Sequence, residues 1–77
     1  MDRATIVEWT EAHVQLKPGT YRDVKYRVYR EGTRNFLEMS SLEDEPIHVL
    51  QLPEGMKLDP SSYEVLLRYI LLDVVAA

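Results

Sequence analysis

The side chains that could do acid–base or metal chemistry are scattered along this sequence rather than grouped. His13 lies among polar residues beside Glu11, whereas His48 alternates with apolar residues and is expected to be part of a core. A zinc site needs several ligands at regular spacings, and two histidines on separate segments do not provide them. The sequence therefore predicts no metal site and no bound cofactor.

Nucleophilic and phosphate-binding motifs are also missing from the sequence. There is no cysteine, and neither Ser40-Ser41 nor Ser61-Ser62 has the flanking glycines of a nucleophile turn. The three glycines are isolated, which excludes a phosphate-binding loop. Residues 42–46 carry three successive carboxylates without the spaced ligands and glycine of a calcium loop, and indicate a solvated acidic loop. We expect neither catalysis nor a small-molecule substrate.

The basic residues are concentrated in one stretch, where tyrosines alternate with them. Residues 17–34 contain six Lys or Arg and two carboxylates, whereas the rest of the chain contains three Lys or Arg and eleven carboxylates. Tyr and Arg are favoured anchors of protein interfaces. The sequence therefore predicts a partner-binding site, with an acidic protein surface as its target, formed by Tyr21, Lys25, Arg27, Tyr29, Arg30 and Arg34.

Two other interpretations of the basic stretch stay open. Interleaved tyrosines and cations also stack bases and neutralise phosphates, so the alternative function is a nucleic-acid-binding module. In the second interpretation the face is merely solvated, because cross-strand carboxylates such as Glu11 and Glu38 pair with its cations. The net charge of −4 favours a protein partner over nucleic acid.

A helix is predicted for the C-terminal segment. Asp59 or Ser61 can cap it, and Pro60 suits its first turn, where a missing N–H is harmless. The helical pattern then runs from Ser62 to Val75.

The end of this helix is apolar almost all round. Its polar stripe begins with Glu64 and Arg68, but the next turn continues that stripe with leucines and a valine. Leaving such residues in water would create a sticky patch. The sequence predicts a self-association site, with a homodimer as its product, formed by Arg68, Leu71, Leu72 and Val75. In the alternative, the helix end packs deeper into the core of the monomer.

Alternation of apolar and polar residues predicts four strands. Residues 12–16 and 24–28 have one apolar face each, residues 36–39 form a short third strand, and residues 47–52 form a fourth. Turns are expected at Lys17-Pro18-Gly19-Thr20 and at residues 31–35. The predicted fold is α+β, a four-stranded antiparallel meander followed by one C-terminal helix packed on the sheet.

The N-terminal segment admits two structures. Val7 and Trp9 occupy odd positions, whereas Ala12 and Val14 occupy even ones, so a regular strand would place the two pairs on opposite faces. Either a bulge near Thr10 corrects the alternation, which the β-branched residues favour, or residues 3–10 form a separate element. Trp9, the single tryptophan, is predicted to lie in the core.

Length and composition limit the number of domains and the location of the protein. Seventy-seven residues with 45% hydrophobic content correspond to one globular domain, residues 1–77. The N-terminus lacks the apolar stretch of a signal peptide, and residues 63–77 are too short an apolar stretch for a membrane span. Together with the absence of cysteine, these features predict a cytoplasmic location. The predicted function is a small adaptor or inhibitor that binds protein, and a structural subunit of a larger complex is a further alternative.

Overall fold

Four strands and one C-terminal helix make up the fold over residues 3–75, the part of the chain that the computed structural model describes. They are β1 (Arg3–Lys17), β2 (Thr20–Glu31), β3 (Arg34–Ser40), β4 (Pro46–Gln51) and α1 (Pro60–Tyr69), which continues as a π-helical segment, Ile70–Val75. The strands form one antiparallel sheet in the order β1-β2-β3-β4. The predicted α+β meander is confirmed, while residues 1, 2, 76 and 77 of the predicted domain lie outside the described residues.

Two-residue turns connect the first three strands. Gly19 follows Pro18 between β1 and β2, and Gly32 begins the turn between β2 and β3. Their φ angles are 81° and 66°, a region in which glycine avoids the steric penalty of other residues. Each hairpin therefore turns where the sequence places a glycine, and each strand pairs with its neighbour in the chain.

β1 is a single bulged strand. Its pairing with β2 shifts register between Thr5 and Val7, between Val7 and Thr10, and again between Gln15 and Lys17. A bulge inserts one residue and thereby exchanges the faces of the sheet that the following side chains occupy. The bulged strand predicted near Thr10 is confirmed, and the alternative of a separate element over residues 3–10 is wrong.

The core lies between the helix and one face of the sheet. Side chains from β1, β2 and β3 that are fully buried there are Val14, Val24, Val28, Leu37 and Met39. The helix contributes Tyr63, Leu67, Ile70 and Leu71, whose spacing of four, three and one residues is that of one helix face. Each such side chain contributes about 1.5–3 kcal/mol through burial. Within residues 3–75, no helix has the length and apolar content that crossing a bilayer requires.

Asp59 caps the helix. Its carboxylate accepts hydrogen bonds from the Ser62 backbone N–H at 2.9 Å and from the Ser61 hydroxyl at 2.8 Å, and Pro60 occupies the first turn. The backbone bond from Ser62 and the bond from Ser61 hold the pKa of Asp59 below its usual value. Of the two predicted caps, Asp59 is the correct one, and Ser61 donates to it.

The acidic loop between β3 and β4 is internally hydrogen-bonded. The Ser41 hydroxyl oxygen accepts the backbone N–H groups of Glu43 and Glu45 at 3.2 and 3.1 Å. Asp44 takes a positive φ of 67°, and its carboxylate forms an ion pair with Lys25 of β2. The loop is therefore fastened to the sheet.

Candidate functional site

The sheet face opposite the helix presents a band of aromatic and charged side chains, which we call the open face. It consists of Trp9, Lys25, Arg27, Tyr29, Phe36 and Glu38, with Val49 beside them. On β2 this face takes the odd-numbered residues, because the even-numbered Val24, Tyr26 and Val28 point to the core. Alternation in β2 therefore separates the core from the open face residue by residue.

Trp9 lies on the open face, and the prediction that it belongs to the core is wrong. Its side chain is 40% exposed, with the Lys25 ammonium and the Arg27 guanidinium each 5.0 Å from its ring centroid. Alternation is the cause, because Ala12 and Val14 place the even-numbered side chains of this part of β1 on the core face and Trp9 therefore faces the cations. The register shift between Val7 and Thr10 returns Val7, not Trp9, to the core face. Such distances correspond to cation–π contacts.

Tyr29, one of the predicted partner-binding residues, lies on the same face but is only 7% exposed, so little of its ring is available to a partner. The Arg3 guanidinium lies 4.2 Å from its ring centroid and the Arg27 guanidinium 5.3 Å away, while the Phe36 ring stacks on it at 5.5 Å. Side chains from β1, β2 and β3 thus cover Tyr29. Tyr29 therefore acts as a packing platform for the side chains of Arg3, Arg27 and Phe36.

The cations of the open face are paired with carboxylates. Arg27 Nε donates to Glu38 at 2.8 Å, and this pair is shielded, with side chains 29% and 23% exposed. Lys25 pairs with Asp44, and beyond Tyr29 the guanidinium of Arg3 lies 3.2 Å from Glu31. Both cations that β2 contributes to the open face, Lys25 and Arg27, are therefore paired with carboxylates.

The other predicted partner-binding residues lie outside this band. Tyr21 is 49% exposed near the start of β2 and stacks on His13, whose Nδ1 lies 2.5 Å from Asp23 Oδ1. Arg30 donates to Asn35 at 3.0 Å at the opposite end of the strand. Arg34 is exposed beside the turn. The six predicted residues are therefore spread along β2 and into the start of β3, and they do not form one cluster.

The C-terminal helix divides the predicted self-association residues. Leu71 is 3% exposed and packs in the core, so its prediction as a surface residue is wrong, whereas Leu72 and Val75 are 43% and 41% exposed. The prediction for Leu71 was wrong because it assumed that the polar stripe of Glu64 and Arg68 continues one helical turn further on the exposed side. Those two residues mark the flank of the helix beside β1, where Arg68 Nε donates to the Gln15 carbonyl at 2.9 Å.

Sequence reasoning missed two exposed apolar residues on the outer side of the helix. Val65 is 63% exposed and Tyr69 is 49% exposed, and with Leu72 they follow an i, i+4, i+7 spacing. We call Val65, Tyr69 and Leu72 the outer stripe. The same spacing that identifies a core face could have located it, since it lies opposite Tyr63, Leu67 and Ile70.

Two titratable groups of the core face have displaced pKa values. Burial raises the pKa of Tyr26, and burial together with the neighbouring Tyr26 and Asp59 raises the pKa of Tyr63. Their rings lie 5.7 Å apart between β2 and the helix. Both tyrosines are therefore neutral structural residues at physiological pH.

His48 is half-buried on β4 opposite Met39, and no group of three His, Asp or Glu side chains within residues 3–75 could hold a metal ion.

Comparisons with protein-family models, with curated proteins and with solved structures find no match to this chain.

Proposed function

We propose that this chain is a non-catalytic protein-binding domain, an adaptor or inhibitor that docks on its partner through the open face. The observation that carries the proposal is the placement of Trp9. A large ring, 40% exposed, stands on a sheet face opposite the helix and is held there by Lys25 and Arg27. Trp, Tyr and Arg contribute most to the binding energy of protein interfaces.

Charge pairing favours a protein partner over nucleic acid. A phosphate would have to displace Glu38 from Arg27 or Asp44 from Lys25 before it could use either cation. Binding to nucleic acid depends on cations that release counterions when they meet phosphates. A neutral, partly apolar surface instead resembles the core of a protein interface, where charged groups are few or paired.

The open face is also ordered before a partner arrives. Arg27 contacts Trp9, Tyr29 and Glu38 at once, so its long side chain has already lost its rotamer freedom. Affinity improves when the contacting side chains need not be immobilised on binding. The site proposed here is thus rigid at its centre.

Self-association through the outer stripe is a second candidate function. Val65, Tyr69 and Leu72 present a continuous apolar strip, and Val75 extends it. A helix pair formed by two copies would cover this strip. Both surfaces would remain available in one assembly because they lie on opposite sides of the domain. The cytoplasmic location predicted from the cysteine-free composition is part of the same proposal.

The test is affinity capture from native cell extract with three baits: the unmodified chain, Trp9→Ala and the control Leu58→Ala. Leu58 is exposed to a similar degree, 36%, but lies in the segment between β4 and α1. We expect specific proteins that survive nuclease treatment and are retained by the unmodified chain and by Leu58→Ala, but lost with Trp9→Ala. Capture that disappears with nuclease, or that is the same for all three baits, would overturn the proposal.

A further inference from the structure

The free edge of β1 and the neighbouring flank of the helix enclose a line of depressions, which we call the groove. β1 is the first strand in the sheet order, so one of its edges has no neighbouring strand. Two depressions lie along it. One has a volume of about 200 Å³ and lies among Ala12, Tyr26, Glu64 and Leu67; we call it the Glu64 depression. The other, of about 240 Å³, lies beside Arg68 and is called the Arg68 depression.

The backbone of β1 points its hydrogen-bonding groups into this groove. The Gln15 carbonyl faces away from β2, because it accepts a hydrogen bond from Arg68 Nε at 2.9 Å. Alternate residues of a strand point their N–H and C=O groups the same way, and the register is unbroken between Thr10 and Gln15. The corresponding groups of His13 and Glu11 therefore also face outward, and both residues line the Glu64 depression.

The two depressions differ in charge. Glu64 provides the carboxylate on the helix side of the first, and neither Lys nor Arg lines it. The Glu11 side chain lies on the open face with its cross-strand partner Lys25. Lys17 and Arg68 line the second, together with the apolar side chains of Leu16 and Pro18. The groove thus has an acidic end and a basic end, about 13 Å apart over the four residues from Ala12 to Leu16.

We propose that an extended peptide segment of a partner protein adds to residues 11–15 of β1 as a fifth, antiparallel strand. It carries an Asp or Glu that enters the Arg68 depression and, four residues later, a Lys or Arg that enters the Glu64 depression. Strand addition to a sheet edge beside a helix is an established mode of peptide recognition. The inference rests on the proposed protein-binding function and adds the class of partner and a second contact surface.

Arg68 takes part both in the backbone pairing of the peptide with β1 and in the recognition of its acidic side chain. The peptide replaces the Arg68 hydrogen bond to Gln15 with a strand hydrogen bond, and the released guanidinium meets the acidic side chain of the peptide. The helix N-terminus does not compete for that acid, because the Asp59 carboxylate already occupies it. Charge order along the peptide is therefore fixed by the groove.

The test uses three synthetic peptides and amide chemical shifts of the ¹⁵N-labelled protein. The first is acetyl-Thr-Glu-Val-Thr-Val-Lys-Thr-amide, the second exchanges its Glu and Lys, and the third has Gln at both positions. We expect the first to bind most tightly, with saturating shifts at Glu11, His13 and Gln15. Equal binding of all three, preference for the exchanged order, or no shift at these amides up to millimolar concentration would overturn the proposal.

Protein variants separate the groove from other causes of binding. Glu64→Lys should weaken binding of the first peptide by about fivefold or more, because it places a like charge opposite the lysine. Glu54→Lys, the same change in the exposed Pro53-Glu54-Gly55 turn, should leave binding unchanged. Equal effects of the two variants would mean that net charge alone attracts the peptide, which would contradict a built groove.

A further peptide tests whether backbone pairing takes part. N-methylation of the peptide amides that face β1 should abolish binding, whereas N-methylation of the alternate amides should not. If both methylated peptides bind alike, strand addition is wrong. Trp9→Ala should bind the first peptide as the unmodified chain does, so a failure of the groove and a failure of the open face can be told apart.

Discussion

The covered face and the open face of the sheet use the same strands but keep their side chains from water in different ways. On the covered face, the helix buries Val24, Val28 and Leu37 completely. On the open face, Arg27 and Arg3 lie over Tyr29, and each guanidinium is paired with a carboxylate. A ring can therefore be buried by side chains of the same sheet without a covering helix, and the residues above it then stay accessible to a partner.

The largest effect is expected at Leu71, which belongs to the covered face. Leu71→Glu should leave the domain unfolded, because it places an unpaired charge in the core. Leu72→Glu, one residue on, should fold normally and abolish self-association through the outer stripe. Circular dichroism and sedimentation velocity check the pair. A folded Leu71→Glu protein would contradict the assignment of this residue to the core.

Truncations to alanine at Leu37 and at Val49 compare how much each face of the sheet contributes to stability. The two residues belong to neighbouring cross-strand pairs of β3 and β4. Leu37→Ala should lower the free energy of unfolding by about 2–5 kcal/mol, because it leaves a cavity at a fully buried site. Val49 faces the opposite way and is 49% exposed, so Val49→Ala should change that free energy by about 0.5 kcal/mol or less. Chemical denaturation measures both, and similar losses would mean that the open face is covered.

The Arg27–Glu38 pair gives a smaller effect. A double-mutant cycle with Arg27→Ala and Glu38→Ala should yield a coupling free energy of about 0.2–1 kcal/mol that declines as salt is added. The pair stands near the upper end of that range because both side chains are largely shielded. A coupling free energy of zero would show that Trp9 and Tyr29 alone position Arg27.

The smallest expected effect is the pH dependence of the helix cap. Because folding lowers the pKa of Asp59 below its usual value of 3.8, its charge stabilises the folded state above that pH, and the stabilisation declines as the pH falls through and below it. Asp59→Asn should therefore be less stable than the unmodified chain at neutral pH, and the difference should shrink as the pH falls through the lowered pKa of Asp59. A difference in stability that does not change with pH would contradict the role of the charge.

The strands and their order were predictable because their signals are local. Alternation at Val24, Tyr26 and Val28 identifies β2, and the glycines at 19 and 32 identify its two turns. The helix start is equally local, since Asp59 and Pro60 carry a recognised cap pattern.

The exposure of the candidate site residues was less predictable because it depends on distant partners. Tyr29 is covered by Arg3, which is far away in the chain. The sequence shows a change of parity between Val7 and Ala12 but not on which side of Trp9 the bulge lies. Pairing of Lys25 with Asp44 depends on the path of a whole loop. Leu71, by contrast, could have been placed correctly, because it continues the spacing of Tyr63, Leu67 and Ile70.

The bulges of β1 have a consequence for the behaviour of the protein at high concentration. They restrict the regular part of the free edge to residues 10–15, and β4, at the opposite edge, is short and begins with Pro46. Exposed sheet edges let identical molecules join strand to strand into fibres when they are long and regular. A six-residue window leaves molecules of this chain only a short regular template for joining edge to edge, which lowers their tendency to form such fibres.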